Sequence, residues 1–376
     1  MRRTVLSFVV VLCAHAGLAQ SVAFQRAQSL QHGINLSGWF AGSDLSPNHL
    51  ETFTNEADLK FIHEMGFDSV RIGIEPSVIA RHGQLQVANP AALEALDHAV
   101  SAALANHLAV MLCAFPNDDY KHNLANARGV DDLVLFWRIL ATHFAGADHD
   151  RIFYELINEP EVPDPYRWMG IQARLVEAIR AIDEQHTIIA TGANYGSLPD
   201  LLQLEPLHDT NVIYNFHFYE PYPFTHQSAS WGSAEWPYYK DIPYPATPAM
   251  IAAQLRNVPG DLARYNLYLY AVAGWSRESI AGRIAFAAAW AHERNVPLIV
   301  NEFGVYERAD PVSRARWIGD VRSALEANHI GWAMWDYRGD FGVVHREDNQ
   351  ITPESAILKA LGLNADAKPV PLSAPQ

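Results

Sequence analysis

The stretch IFYELINEPEVPDPYRWMGIQARLVEAIRAIDEQHTIIAT, residues 152–191, holds one complete unit of a repeating plan. Ile152 to Ile157 are aromatic, β-branched and almost continuously apolar, the pattern of a strand buried on both faces. Ile171, Leu175, Ile179 and Ile182 then recur at helical spacing, and Thr187 to Thr191 return to an apolar run. Strand, helix, strand reads as a parallel βαβ unit.

The alternation continues in both directions. Apolar runs at 33–39, 69–74, 108–115, 212–218, 298–303 and 330–335 bring the strand candidates to eight. Between them, Leu93, Leu96, Val100 and Leu104 keep helical spacing, as do Leu133, Trp137, Leu140 and Phe144. Asn89-Pro90 suits a capping residue followed by proline at the first helical position. Eight is the number of strands that closes a (β/α)8 barrel. An open doubly wound sheet would carry a glycine-rich phosphate turn after its first strand, and the sequence has none. The fold expected is α/β, a single (β/α)8 TIM barrel over residues 20–363. A proline-rich, aromatic stretch from Glu220 to Pro248 follows the sixth strand, where a barrel builds the walls of its site.

Composition narrows the partners. The 376 residues carry 27 Lys+Arg against 42 Asp+Glu, a formal charge of −15. Such a surface repels phosphate backbones and anionic lipid, so neither nucleic acid nor a membrane is an expected partner. Residues 1–19 combine Arg2 and Arg3, a short apolar stretch from Val5 to Ala14, and the small residues Gly17 and Ala19. That is the pattern of a signal peptide, and a secreted or periplasmic protein is expected. Of the two cysteines, Cys13 falls in that segment and Cys113 is left alone, so no internal disulfide is expected. Residues 364–376 turn to Ala, Pro, Asp and Lys and read as a flexible tail. A monomer is expected.

In a barrel the reacting groups lie at the C-terminal ends of the strands. The polar residues there are Arg71 and Glu75, Asn158-Glu159, His217 and Tyr219, Asn301-Glu302, and Trp335-Asp336. Two glutamates, each preceded by asparagine, close two different strands. A carboxyl pair facing one cavity suits glycosidic bond cleavage, in which one group protonates the leaving oxygen and the other attacks or activates water. Rival chemistries lack their residues: there is no GxSxG elbow, no HExxH and no thiolate zinc site. No metal and no cofactor are expected.

At these residues the sequence resembles glycoside hydrolase family 5, the cellulase-type family of clan A retaining β-glycosidases. The resemblance runs from Gly33 to about Gly362. It rests on Val70-Arg71-Ile72-Gly73, Tyr154-Glu155-Leu156-Ile157-Asn158-Glu159-Pro160, His217-Phe218-Tyr219-Glu220-Pro221, Asn301-Glu302-Phe303-Gly304 and Trp332-Ala333-Met334-Trp335. It implies Glu159 as general acid/base and Glu302 as nucleophile, with Asn158 on the sugar 2-hydroxyl. It also implies that Arg71 and Tyr219 lie beside Glu302, that His217 lies near Glu159, and that Trp335 is the floor under the sugar. Trp39, Trp231 and Trp236 are candidates for further sugar platforms. The partner implied is a β-glucan polysaccharide or oligosaccharide, most directly a β-1,4-glucan cleaved internally. β-1,3/1,6-Glucan, β-mannan and an inactive carbohydrate-binding barrel stay open as alternatives. One position departs from the family. Members usually end the third strand in Asp-x-His, where this chain has Cys113-Ala114-Phe115, and Phe115 offers no hydrogen bond to a sugar hydroxyl.

Overall fold

Three of the long helices start alike: a side-chain oxygen caps the end and proline follows. Asn89 accepts from the Ala92 N–H, Asp164 from those of Tyr166 and Arg167, and Asp310 from that of Ser313. Proline at the next position has no N–H to leave unsatisfied and a φ already suited to the helix. Each helix begins a return from the end of one strand to the start of the next.

The computed structural model describes residues 21–80, 89–124, 126–347 and 349–371. The expected signal segment, residues 1–19, lies outside the described residues. The strands are β1 His32–Asn35, β2 Ser69–Ile74, β3 Ala109–Ala114, β4 Ile152–Glu155, β5 Thr187–Thr191, β6 Val212–Phe218, β7 Leu298–Phe303 and β8 Gly331–Met334. All pair in parallel in sequence order, and β8 closes on β1 with Ala333 opposite Gly33. The principal helices between and after them are α1 Glu56–Glu64, α2 Pro90–Ala105, α3 Ala127–Phe144, α4 Pro165–Arg180, α5 Leu198–Leu201, α6 Arg277–Arg294, α7 Pro311–Ala327 and α8 Ser355–Ala360. The expected (β/α)8 barrel is the fold.

Ala109, Met111, Phe153, Ile189, Ile213, Ile299 and Ala333 form a cluster inside the barrel. Ala23, Ala27 and Leu30, from a turn ahead of β1, join that cluster and plug the end where the strands begin. Arg26 fastens the plug by donating to the Gln185 carbonyl at 2.5 Å and to Thr187 Oγ1 at 3.1 Å. The outer core lies between strands and helices, and three buried tryptophans there do a second job. The indole N–H of Trp137 donates to the Leu156 carbonyl, that of Trp168 to Thr191 and that of Trp317 to Glu220. Each bond satisfies a carbonyl at or just beyond a strand's C-terminal end, where an unpaired buried group would be costly. The site thus stands on a fixed backbone.

Two sequence expectations change. β1 ends at Asn35 rather than Trp39, because Gly38 takes a left-handed φ of 74° and turns the chain off the sheet. The segment from Asn364 is not wholly a free tail either. The Asn364 N–H donates to the Met65 carbonyl at 2.9 Å, and β11 Val370–Pro371 pairs antiparallel with β10 Gln350–Pro353, itself paired with β9 Val344–Glu347. Residues 372–376 lie outside the described residues.

Candidate active site

Just past β4 the chain carries Asn158 and then Glu159, which sits at a φ of 45°, a region that side chains other than glycine seldom occupy. β7 brings Glu302 to the same mouth from the opposite side. The ladder between β6 and β7 is irregular between Asn215 and His217, and beyond the irregularity His217 lies beside Glu302. Breaks of this kind re-aim side chains next to sites. Tyr219 follows just past the end of β6, Arg71 rises from within β2, and Trp335 follows β8.

These residues meet. Arg71 Nη1 donates to Glu302 Oε1 at 2.6 Å, and the Tyr219 hydroxyl donates to Glu302 Oε2 at 3.0 Å. His217 Nδ1 lies 2.9 Å from Glu159 Oε1 and 3.3 Å from Glu302 Oε2. Arg71 Nη2 donates to Asn158 Oδ1 at 3.0 Å. The two glutamates differ in access: the Glu159 side chain is 28% exposed and reaches into the cleft, while that of Glu302 is 5% exposed in the floor. Glu159, His217 and Glu302 each offer a ligand atom within 4.8 Å of the others, the spacing of a possible metal group. His217 Nδ1 already bridges both carboxyls, so the cluster is equally arranged to share a proton.

Electrostatics couple the three. Burial works to raise the Glu159 carboxyl, but the hydrogen bond and charge of His217 outweigh it and hold the group below its ordinary value. Burial also raises Glu302, and there it prevails over the opposing pull of His217 and Arg71. For His217, burial favours the neutral ring, yet the charges of Glu302 and Glu159 carry it above the ordinary imidazole value. Groups this close titrate as a set, so a proton among them is shared rather than owned.

Around the pair opens a cleft of about 1470 Å³. Trp335 lines it and stacks on Phe115, ring centres 6.0 Å apart and planes 12° from parallel. Phe115 has room because Gly73 has no side chain: a Cβ there would come within 2.8 Å of the phenyl ring. The stretch after β6 forms one wall. Trp236 stacks on Tyr222 at 5.8 Å and meets the His226 ring at a tilt, 4.4 Å between centres, and Trp231 stands 41% exposed beside Tyr306. Burial pushes His226 down to about 4, so this wall presents a neutral imidazole over most of the pH range.

Of the residues expected at the site, Glu159, Glu302, Arg71, Asn158, His217, Tyr219 and Trp335 converge, and Trp231 and Trp236 line the same cleft. Trp39 does not. It is 2% exposed, packs on Phe40 and donates its indole N–H to the Leu50 carbonyl at 2.8 Å, so it is a core residue and no sugar platform. Sequence reasoning passed over Asn35, Glu155, Tyr195, Tyr222 and His226. For Glu155 a signal existed: it alternates with Phe153 on β4, so a carboxyl faces the barrel interior, where a charge needs a partner.

Comparison with known proteins bears on the fold and the family. The family model described as cellulase (glycosyl hydrolase family 5) matches residues 31–340. Endoglucanase C of Acetivibrio thermocellus is 30% identical over 338 residues, covering 87% of this chain and 96% of the relative. Endoglucanase 3 of Fibrobacter succinogenes is 28% identical over 362 residues, and the match takes in 53% of that longer protein. Thermotoga maritima Cel5A solved with cellobiose superposes with a TM-score of 0.75 at 23% identity, over 90% of this chain and 99% of the other. The same protein solved with mannotriose gives 0.73 at 24% identity, with the same coverage. The family match begins just before β1 and ends just beyond β8, and so takes in the whole ring of strands. The chain belongs to glycosyl hydrolase family 5, the cellulase family, and is a glycoside hydrolase.

Proposed function

We propose that this hydrolase is a secreted, retaining endo-β-glucanase acting on β-1,4-linked glucan, with Glu302 as nucleophile and Glu159 as acid/base. The observation that carries the reading is the carboxyl pair: an oxygen of Glu159 and one of Glu302 lie within 4.8 Å. Retaining enzymes keep their carboxyls about 5–5.5 Å apart, whereas inverting ones leave roughly 6.5–9.5 Å for a water. The neighbours support the division of labour. Glu302 receives two fixed donors, Arg71 and Tyr219, which orient a carboxylate for attack. Glu159 is the more exposed and, among the described residues, hydrogen-bonds to His217 alone, which leaves it free to meet a leaving group.

Glu302 attacks the anomeric carbon while Glu159 gives its proton to the departing oxygen, so the C–O bond breaks as the glycosyl ester forms. Water then attacks the ester, Glu159 takes the water's proton, and Glu302 leaves as a carboxylate. In the resting cluster the Glu302 carboxyl lies above its ordinary value and that of Glu159 below. A glycosidic oxygen at Glu159 and positive charge growing at the anomeric carbon beside Glu302 favour the opposite distribution, which is the reactive one. Asn158 is set for the 2-hydroxyl and Trp335 for the apolar face of the ring.

Relatives named endoglucanases support the endo mode and the glucan, and the pattern of residues 1–19 supports export. Product analysis on soluble β-1,4-glucan, β-1,3/1,6-glucan and β-mannan tests the substrate. Short β-1,4-gluco-oligosaccharides with a rapid drop in viscosity are expected. Faster release from mannan or from β-1,3-glucan would overturn the substrate assignment.

A further inference from the structure

Among the described residues, Arg71 is the only guanidinium at the base of the site, and every one of its N–H groups is spent. Nε donates to Glu155 Oε2 at 2.6 Å and Nη2 to Glu155 Oε1 at 2.7 Å, a two-point fork. The second Nη2 proton serves Asn158 at 3.0 Å, with the Cys113 sulfur nearby at 3.3 Å. Nη1 divides between Asn35 Oδ1 at 2.9 Å and Glu302 Oε1 at 2.6 Å. Arg71 and Glu155 are each 1% exposed. One cation therefore stands between two carboxylates inside the barrel, and the one gripped at two points is not Glu302.

We propose that Glu155 is a positioning residue for the reaction: it locks Arg71 so that Nη1 aims at Glu302, and it shares the guanidinium's charge so that Glu302 stays reactive. The proposal rests on Glu302 being the nucleophile. A planar fork fixes a guanidinium's roll as well as its place, which a single contact cannot do. Sharing matters because an anion held by a whole, undivided positive charge is a weaker nucleophile. With Glu155 gripping Nε and Nη2, the pull of Arg71 on Glu302 is divided between two carboxylates.

The other groups facing Glu302 are few. From β6 comes His217 and from just past it the Tyr219 hydroxyl, from just past β4 comes Glu159, and from just past β8 the uncharged Trp335. Cys113 on β3 touches Arg71, and burial keeps its thiol protonated. Removing the Glu155 charge therefore leaves Arg71 to act on Glu302 without competition.

The test is the pH dependence of kcat/KM on an aryl β-cellobioside, using the full chain. In Glu155→Gln and Glu155→Met, which lack the charge, the acidic limb is expected to move down by about half a pH unit or more. The optimum value should fall roughly tenfold to hundredfold as Arg71 loses its lock. Glu155→Asp keeps the charge and shortens the reach, so kcat/KM should fall while the limb stays in place. An acidic limb that is unmoved or moves upward in the charge-free variants overturns the proposal, because a merely loosened Arg71 would stabilise the Glu302 anion less. Two charge-free variants are used so that failure of one to fold leaves the other to decide. Full turnover of the same substrate by Glu302→Ala would instead overturn the assignment of the nucleophile, whatever the Glu155 profiles show.

Discussion

Glu159 and Glu302 have the same side chain and are separated in function by what touches them. Glu302 lies in the floor under two fixed donors. Glu159, at a left-handed backbone position, reaches past His217 into the cleft. That difference predicts a leaving-group effect. Glu159→Ala should slow hydrolysis of β-glucan by roughly a thousandfold or more, because the departing alkoxide needs a proton. Release of dinitrophenolate from an activated β-cellobioside in the first turnover should fall far less, since that group leaves without protonation. Rapid-mixing kinetics on the two substrates check this, and equal losses would remove Glu159 from the role of acid. Phe115 shows how a residue identity propagates. It stacks on Trp335 and fills the space left by Gly73, so the chain gives up a hydrogen-bonding side chain and gains a continuous aromatic surface.

At the scale of elements, the stretch after β6 decides much of the cleft. Gly232 has a φ of 73°, and a Cβ on it would fall 2.2 Å from the Trp236 ring. Gly232→Ala should therefore displace the indole and raise KM for the polymer roughly threefold to tenfold with kcat less affected, the signature of lost uniform binding. Steady-state kinetics beside a melting curve would show whether the wall binds; an unchanged KM would mean that it does not. The strands were legible because fully buried parallel strands are written as apolar runs, and their polar terminal residues marked the site. Helix starts were legible from Asn89-Pro90, and Asp164-Pro165 and Asp310-Pro311 carry the same sign. The plug around Ala23 and Ala27 was not, because a short turn with small apolar residues has no distinguishing period. Trp39 misled for a related reason. An aromatic near a strand end can face the cleft or the core, and only the turn at Gly38 decides. Glu155 carries a sign of its inward face in its alternation with Phe153, but sequence does not name the partner it meets across the barrel, Arg71.

At the scale of the molecule, the barrel brings Glu159 and Glu302, from the fourth and seventh strands, to one point. Their parallel strands end at the same rim, and the shared rim does what a local motif cannot. Indole bonds from Trp137, Trp168 and Trp317 hold the backbone near the ends of β4, β5 and β6, so distances in the site are set by the packed layer behind it. The acidic balance of the chain, −15, suits a neutral polysaccharide better than an anionic one. The central claim is that the substrate passes through an ester on Glu302, and it can be read by mass. Treatment with an activated 2-deoxy-2-fluoro-β-cellobioside slows the breakdown of that ester, and the digested protein is then analysed by tandem mass spectrometry. The account predicts a single fluorocellobiosyl group, carried by Glu302 and absent from Glu302→Ala. An active enzyme that takes up no label, or carries it on another residue, would contradict it.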